Sequence, residues 1–114
     1  KEYNRKRVYK MIGTHRTTVT NIPIEAEQSR LIVTFHNTAV VQVVNDRYVI
    51  LNSGGWLTPT TKRRMNQASE VYKLNYLVYQ KGWVWYVQTP KSITEFADHI
   101  VIDKLSGKIL PSLP

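Results

Sequence analysis

The rhythm of apolar and polar positions divides the chain into a β-rich first half, one helix and a β-hairpin. Thr17 and Val19 alternate with Thr18 and Thr20 until Pro23, which lacks a backbone donor and forces an edge or a bend. Three runs follow, "RLIVTFH", "AVVQVV" and "RYVILN", separated by "NT" and "ND", whose residues suit tight turns, so the pattern predicts a three-stranded antiparallel meander. Leu31–Val33 and, apart from Gln42, Ala39–Val44 are apolar on both faces, which requires cover on both sides of that sheet. "NSGG" ends the meander, because paired glycines allow a sharp change of direction. Thr58 before Pro59 is a hydroxyl N-cap followed by proline at the first helical position, and predicts a helix over residues 59–73. On a 3.6-residue period Thr61, Met65, Ala68 and Tyr72 form one stripe with Val71 beside it, while Lys62, Arg63, Asn66, Glu70 and Lys73 point away. Asn75 supplies the stop.

"NYLVYQKGWVWYVQT" then predicts a hairpin turned at Lys81-Gly82, pairing Gln80 with Trp83, Val78 with Trp85 and Tyr76 with Val87 on one face. Leu77, Tyr79, Val84 and Tyr86 occupy the other, equally apolar face. A short strand near residues 99–103, a turn at Ser106-Gly107 and a proline-containing tail complete the chain. The expected fold class is α+β: an antiparallel sheet of about five or six strands, meander plus hairpin, with one principal helix. The expected organisation is a basic arm over residues 1–12, a single domain over 13–104 and a tail over 105–114.

At 114 residues there is room for one domain, and 42% hydrophobic with 21% charged residues is an ordinary globular composition, which rules out global disorder. The absence of cysteine removes disulfides, a thiol nucleophile and thiolate metal sites; it suits a reducing compartment but equally a virion or a secreted chain. No apolar run is long enough to span a bilayer and the N-terminal stretch has no signal-peptide core, so no membrane partner is expected. A chain that begins at Lys1 without Met is expected to have been trimmed or processed.

Charge changes the picture most. A net charge of +8 favours polyanionic partners, and six of the sixteen cations lie in residues 1–16 against one acid. Arg5, Lys6 and Arg7 form an arm that would order on a phosphate backbone, or else a solvated tail. Lys62, Arg63 and Arg64 stand near the N-terminus of the helix, the positive end of its dipole, where Asp or Glu is favoured. An anion there would meet the Thr60 and Thr61 hydroxyls, free backbone N–H groups and a nest formed by "SGG". Arg63, Asn66 and Gln67 are also side-chain types that read base edges. The candidate nucleic-acid-binding set is therefore Thr60, Thr61, Lys62, Arg63, Arg64, Asn66 and Gln67, with Arg5, Lys6 and Arg7. Trp83, Trp85 and Tyr86 are candidate stacking platforms beside Lys81, although aromatic residues next to valine in a hairpin commonly belong to a core.

Chemistry beyond binding has little support. His15, His36 and His99 stand apart with no metal-ligand spacing, the eight acids form no identifiable pair, and no serine sits in a nucleophile elbow. No metal, no cofactor and no catalytic residue is expected, although a metal-independent ribonuclease could be assembled from His15 or His36 with Arg63 and Tyr86, as in any basic domain.

The segment "HNTAVVQVVNDRYVILNSGGWLTPTTKRRMNQ" and the following "VYQKGWVWYV" resemble a set of small tailed-bacteriophage proteins with no established activity. Those share an "HNT…V" strand pair, an "LNxGGW" turn, a "TTKxRMN" helix start and a "YQK" strand; the likeness covers about residues 34–88. It implies a phage context, in which short basic domains bind nucleic acid, inhibit host machinery or form minor virion parts. The leading expectation is thus a non-enzymatic nucleic-acid-binding accessory protein (DNA or RNA) in the host cytoplasm. The alternative is an anti-defence inhibitor that engages an acidic host protein, and the third reading is a minor structural component of the virion. A free sheet edge could also pair two copies into a homodimer.

Overall fold

The computed structural model describes residues 17–22 and 29–114. Among these, nine strands and one helix run in the order β1 (Thr17–Ile22), β2 (Arg30–Phe35), β3 (Thr38–Val44), β4 (Tyr48–Leu51), α1 (Pro59–Tyr72), β5 (Leu77–Lys81), β6 (Val84–Gln88), β7 (Ile93–Glu95), β8 (Ile100–Asp103) and β9 (Ile109–Leu110). All strand pairings are antiparallel, in two sheets: β1-β2-β3-β4-β8-β9 and β5-β6-β7. The α+β class with antiparallel sheet is as expected. The single sheet is replaced by two, because β8 returns to pair with β4 and leaves the hairpin to form its own layer with β7.

The meander forms where its turn residues permit it. His36-Asn37 and Asn45-Asp46 all have positive φ, which suits the twist of tight hairpins. Register aligns Leu31, Val43, Val49 and Ile102 across four strands, and Val33, Val41, Leu51 and Ile100 across the same four. These rows share one face and pack onto α1 and the second sheet. A register irregularity between Val33 and Thr34 leaves Val40 as an extra residue, also buried in that core. On the opposite face Val44 and Val101 are buried too, in keeping with apolar runs on both sides.

Thr58 caps α1 by accepting from the Thr61 amide, Pro59 takes the first turn, and Lys73 closes the helix in the left-handed region (φ 56°) with its N–H on the Ser69 carbonyl. The stop thus falls at Lys73, with Asn75 (φ 67°) the next left-handed residue. Thr61, Met65 and Ala68 are buried, and Val71 and Tyr72 pack at the core's margin, as the stripe predicts. The link to β5 is fixed by side chains. Ser69 Oγ donates to the Tyr76 carbonyl (2.6 Å) and accepts from its N–H (3.1 Å), while the Tyr76 hydroxyl donates to the Met65 carbonyl (2.5 Å). Complete burial pushes the Tyr76 phenol pKa well up.

The hairpin turns at Gly82-Trp83, so Lys81 pairs with Val84, Gln80 with Trp85 and Val78 with Val87. The expected register is off by two residues, and because side chains alternate with period two, the faces survive the shift. Tyr76, Val78, Trp85 and Val87 face the core. Tyr79 and Tyr86 stack on each other outside it, with ring centroids 5.6 Å apart. β9 lies inside the stretch read as tail and extends the large sheet.

Candidate functional site

Local bonding around the start of α1 decides which of its groups face a ligand. Gly54 N–H donates to Asn52 Oδ1 (3.1 Å) and Gly55 N–H to Ser53 Oγ (3.1 Å). The amides of the expected "SGG" nest are therefore already satisfied. Thr61 N–H and Oγ1 both engage Thr58 Oγ1, and Lys62 N–H bonds the Thr58 carbonyl. Pro59 has no N–H. Thr60 is left with an amide and a hydroxyl that have no partner among the described residues.

The three cations separate. Arg64 is 8% exposed: Nε donates to Thr17 Oγ1 (3.1 Å), NH1 donates to Gln67 Oε1 (3.1 Å), and the guanidinium lies 5.5 Å from the Phe35 ring centroid. Lys62 places Nζ 5.6 Å from the Trp85 ring centroid. Arg63 is exposed and has no partner among the described residues. Asn66, read as pointing outward, turns to β5: Nδ2 donates to the Val78 carbonyl and Oδ1 accepts from the Val78 N–H, both at 2.8 Å. The donor–acceptor pair that would read an adenine edge is here committed to a strand edge. Arg5, Lys6, Arg7 and His15 lie outside the described residues.

The candidate platforms separate as well. Trp85 is 6% exposed, held by Lys62 and by the edge of Phe96 (5.6 Å), and Tyr86 is half-buried against Tyr79. Trp83 is 92% exposed. It occupies the second turn position with φ 70°, a left-handed conformation that suits glycine there and strains a bulky side chain.

The sequence reading did not single out Trp56 (65% exposed) or Leu57 (56% exposed). They sit on the ridge between "SGG" and α1, and a cleft opens on each side of it. One, about 480 Å³, is lined by Phe35, His36, Thr38, Val40, Trp56 and Thr60, among others. The other, about 520 Å³, lies among Leu57, Pro59, Gln80, Trp83, Val84 and Trp85. The second cleft brings the loop before α1 against the hairpin tip, and Lys62 reaches from the first turn of α1 to Trp85. Trp56 and Trp83 are the exposed indoles of that loop and that tip; Lys81 is two positions from Trp83 in the chain, and Lys62 and Arg63 follow Trp56 in the first turns of α1. Pairing of "GGW" with an immediately following helix cap was the available signal for Trp56, since such a short loop has no core of its own to bury an indole.

Elsewhere, Arg47 and Asp103 tie two strands of the large sheet together. Arg47 grips Asp103 through Nε (3.1 Å) and NH2 (3.0 Å), and the Leu105 amide adds a third bond. The Arg47 contact, first, and that amide lower the Asp103 carboxyl to about 2. Hydrogen bonding to Asp103 likewise raises the Arg47 pKa. No cluster of three His, Asp or Glu that could hold a metal occurs among the described residues. His36 stands at the β2–β3 turn with its ring edge on Phe35 (4.3 Å), whereas Tyr86 lies on the outer face of the hairpin. No helix among the described residues is long and apolar enough to cross a membrane.

Comparison with known proteins found no match among curated proteins and none among solved structures. The family model Kyanoviridae Gp96 protein matches residues 4–104, which extends the phage-protein likeness from the central segment into the basic arm and through β8. The chain therefore belongs to the Kyanoviridae Gp96 protein family and is a phage protein.

Proposed function

We propose that this phage protein is a non-enzymatic binder of single-stranded nucleic acid, with unpaired bases stacking on Trp83 and Trp56 and phosphates meeting Lys62, Arg63, Lys81 and the basic arm. One observation carries the reading: an indole that is almost wholly exposed and held in a strained left-handed conformation beside a lysine. Backbone strain persists where function requires it, and base–aromatic stacking beside cations is how single strands are held without sequence readout. Duplex is the poorer substrate, because stacking needs bases outside a helix and Asn66 is unavailable for groove readout. Fluorescence anisotropy with labelled single-stranded DNA, RNA and duplex across a salt series tests this. The expected result is tighter binding of single strands, with log affinity falling against log salt and a loss of affinity in Trp83→Ala. Single-strand binding no tighter than about 100 μM near physiological salt would refute it.

A second reading is favoured by Leu57, which is exposed on the same ridge yet offers nothing for a base to stack on. Under it the ridge is an apolar anchor for a host protein, with the cations steering an acidic partner. Leu57→Asp would then abolish the protein complex and leave oligonucleotide affinity unchanged.

A further inference from the structure

We propose that the cleft between Trp56 and the β2–β3 turn is a nucleotide pocket, which takes in one unpaired nucleotide of the bound strand, base first. This rests on the single-strand reading above and assigns that surface a defined subsite.

The cleft has the size and the walls for that occupant. Its volume, about 480 Å³, falls in the range of small-molecule sites. Phe35, His36 and Trp56 offer flat faces and edges to a planar ring, while the hydroxyls of Thr38 and Thr60 have no partner among the described residues and can both donate and accept. A purely apolar ligand would leave those hydroxyls unsatisfied; a base edge presents matching donors and acceptors. Among the described residues no carboxylate lines the cleft, so none of them repels a phosphate there. Thr60, whose amide has no partner among the described residues, is part of the lining, and the net charge of +8 favours an anionic ligand.

The walls are fixed in advance. Asp98 accepts from Ser53 N–H (2.8 Å) and Oγ (2.7 Å), anchoring the loop that carries Trp56. Gly54, at φ 63°, lies so near Thr38 that a Cβ would come within 2.6 Å of its Oγ1. The close approach locks the loop to β3 and keeps the cleft open without a ligand to mould it.

Amide chemical shifts of the isotope-labelled protein, titrated with thymidine 5′-monophosphate, read the pocket directly, and Thr60→Tyr plugs it from a half-buried helical position on its lining. The mononucleotide should move the amides of Gly55, Trp56, Thr60 and Thr61 in the native chain and leave them in place in Thr60→Tyr. The same variant should weaken oligo-dT binding about tenfold, the scale of one lost stacked base. Shifts confined to the hairpin tip would overturn the pocket, as would full oligo-dT affinity in both Thr60→Tyr and Trp56→Ala. If that affinity still depends on Trp83, the pocket fails and the single-strand reading stands. Mononucleotide shifts at the pocket with no oligo-dT binding would support the pocket and remove the single-strand reading.

Discussion

Replacing Trp83 by glycine should separate stability from binding, because the residue that the turn prefers is the one the proposed surface cannot use. A left-handed backbone costs an L-residue about 1–2 kcal/mol, which glycine relieves. Glycine returns about 0.5–1 kcal/mol of that through its extra freedom in the unfolded chain. An indole can bury up to about 250 Å². At 92% exposure Trp83 covers about 20 Å² of it, so deleting it forfeits about 0.5 kcal/mol. The net change lies between about 0.5 kcal/mol destabilising and about 1 kcal/mol stabilising, or a few degrees in Tm. Trp83→Ala keeps the backbone penalty and loses the same contact, so it should melt below Trp83→Gly. Both variants should lose about 1–3 kcal/mol of single-strand affinity if one base stacks there. Thermal melts with parallel anisotropy titrations check both halves. A glycine variant that melts below the alanine variant would refute the strain argument, and unchanged affinity in both would refute the stacking argument.

Three further outcomes follow from the bonding around the site. Asn66→Ala strips both partners from the Val78 backbone and should cost about 2–3 kcal/mol, read as a lower denaturant midpoint; a loss below about 0.5 kcal/mol would mean water replaces the bonds. Arg64→Ala removes two hydrogen bonds and the contact with Phe35, and should cost about 2 kcal/mol of stability while the salt dependence of oligonucleotide binding stays as in the native chain. For Asp103 the folded value of about 2 lies below the ordinary 3.8, so the unfolded chain takes up the proton first. Its contribution is present above about pH 4 and is lost as the pH falls through about 2. Asp103→Asn should flatten that acid limb in melts recorded across the window.

Legibility from sequence follows the range of the interactions. The meander, the cap at Thr58 and the apolar stripe of α1 rest on neighbours a few residues apart, and all were readable. The hairpin faces were readable for the same reason, even with the turn misplaced, since a two-residue slip preserves alternation. β7 and β9 have three and two residues, too short for any period to register, and exist because a neighbouring strand offers an edge. Arg64 illustrates the limit at the site. The helical period assigned position 64 to neither face, and its charge grouped it with Lys62 and Arg63 as a ligand-facing cation. The partners that settle the matter are Phe35 and Thr17, 47 positions away for the latter. Asn66 is bound to β5 by a contact 12 positions away, and nothing in "RRMNQ" distinguishes a base-reading asparagine from one that completes a strand.

The placement of three cations at the start of a helix finds a physical account once they are treated singly. Arg64 offsets its cost by the Phe35 ring and two acceptors, and Lys62 by the Trp85 face; each cation–π contact is worth about 0.5–1 kcal/mol at such sites, more than the few tenths lost to the dipole. Arg63 has no such return among the described residues, yet it suffers the same field and the repulsion of its neighbours. A residue that only costs stability is the one whose use lies outside the fold. Arg63→Glu should therefore leave the protein as stable or raise it by a few tenths of a kcal/mol, while weakening single-strand binding and lowering the slope of log affinity against log salt by about one. Stability unchanged with an unchanged slope would remove Arg63 from the interface. A clear loss of stability would mean that the guanidinium has a structural partner after all.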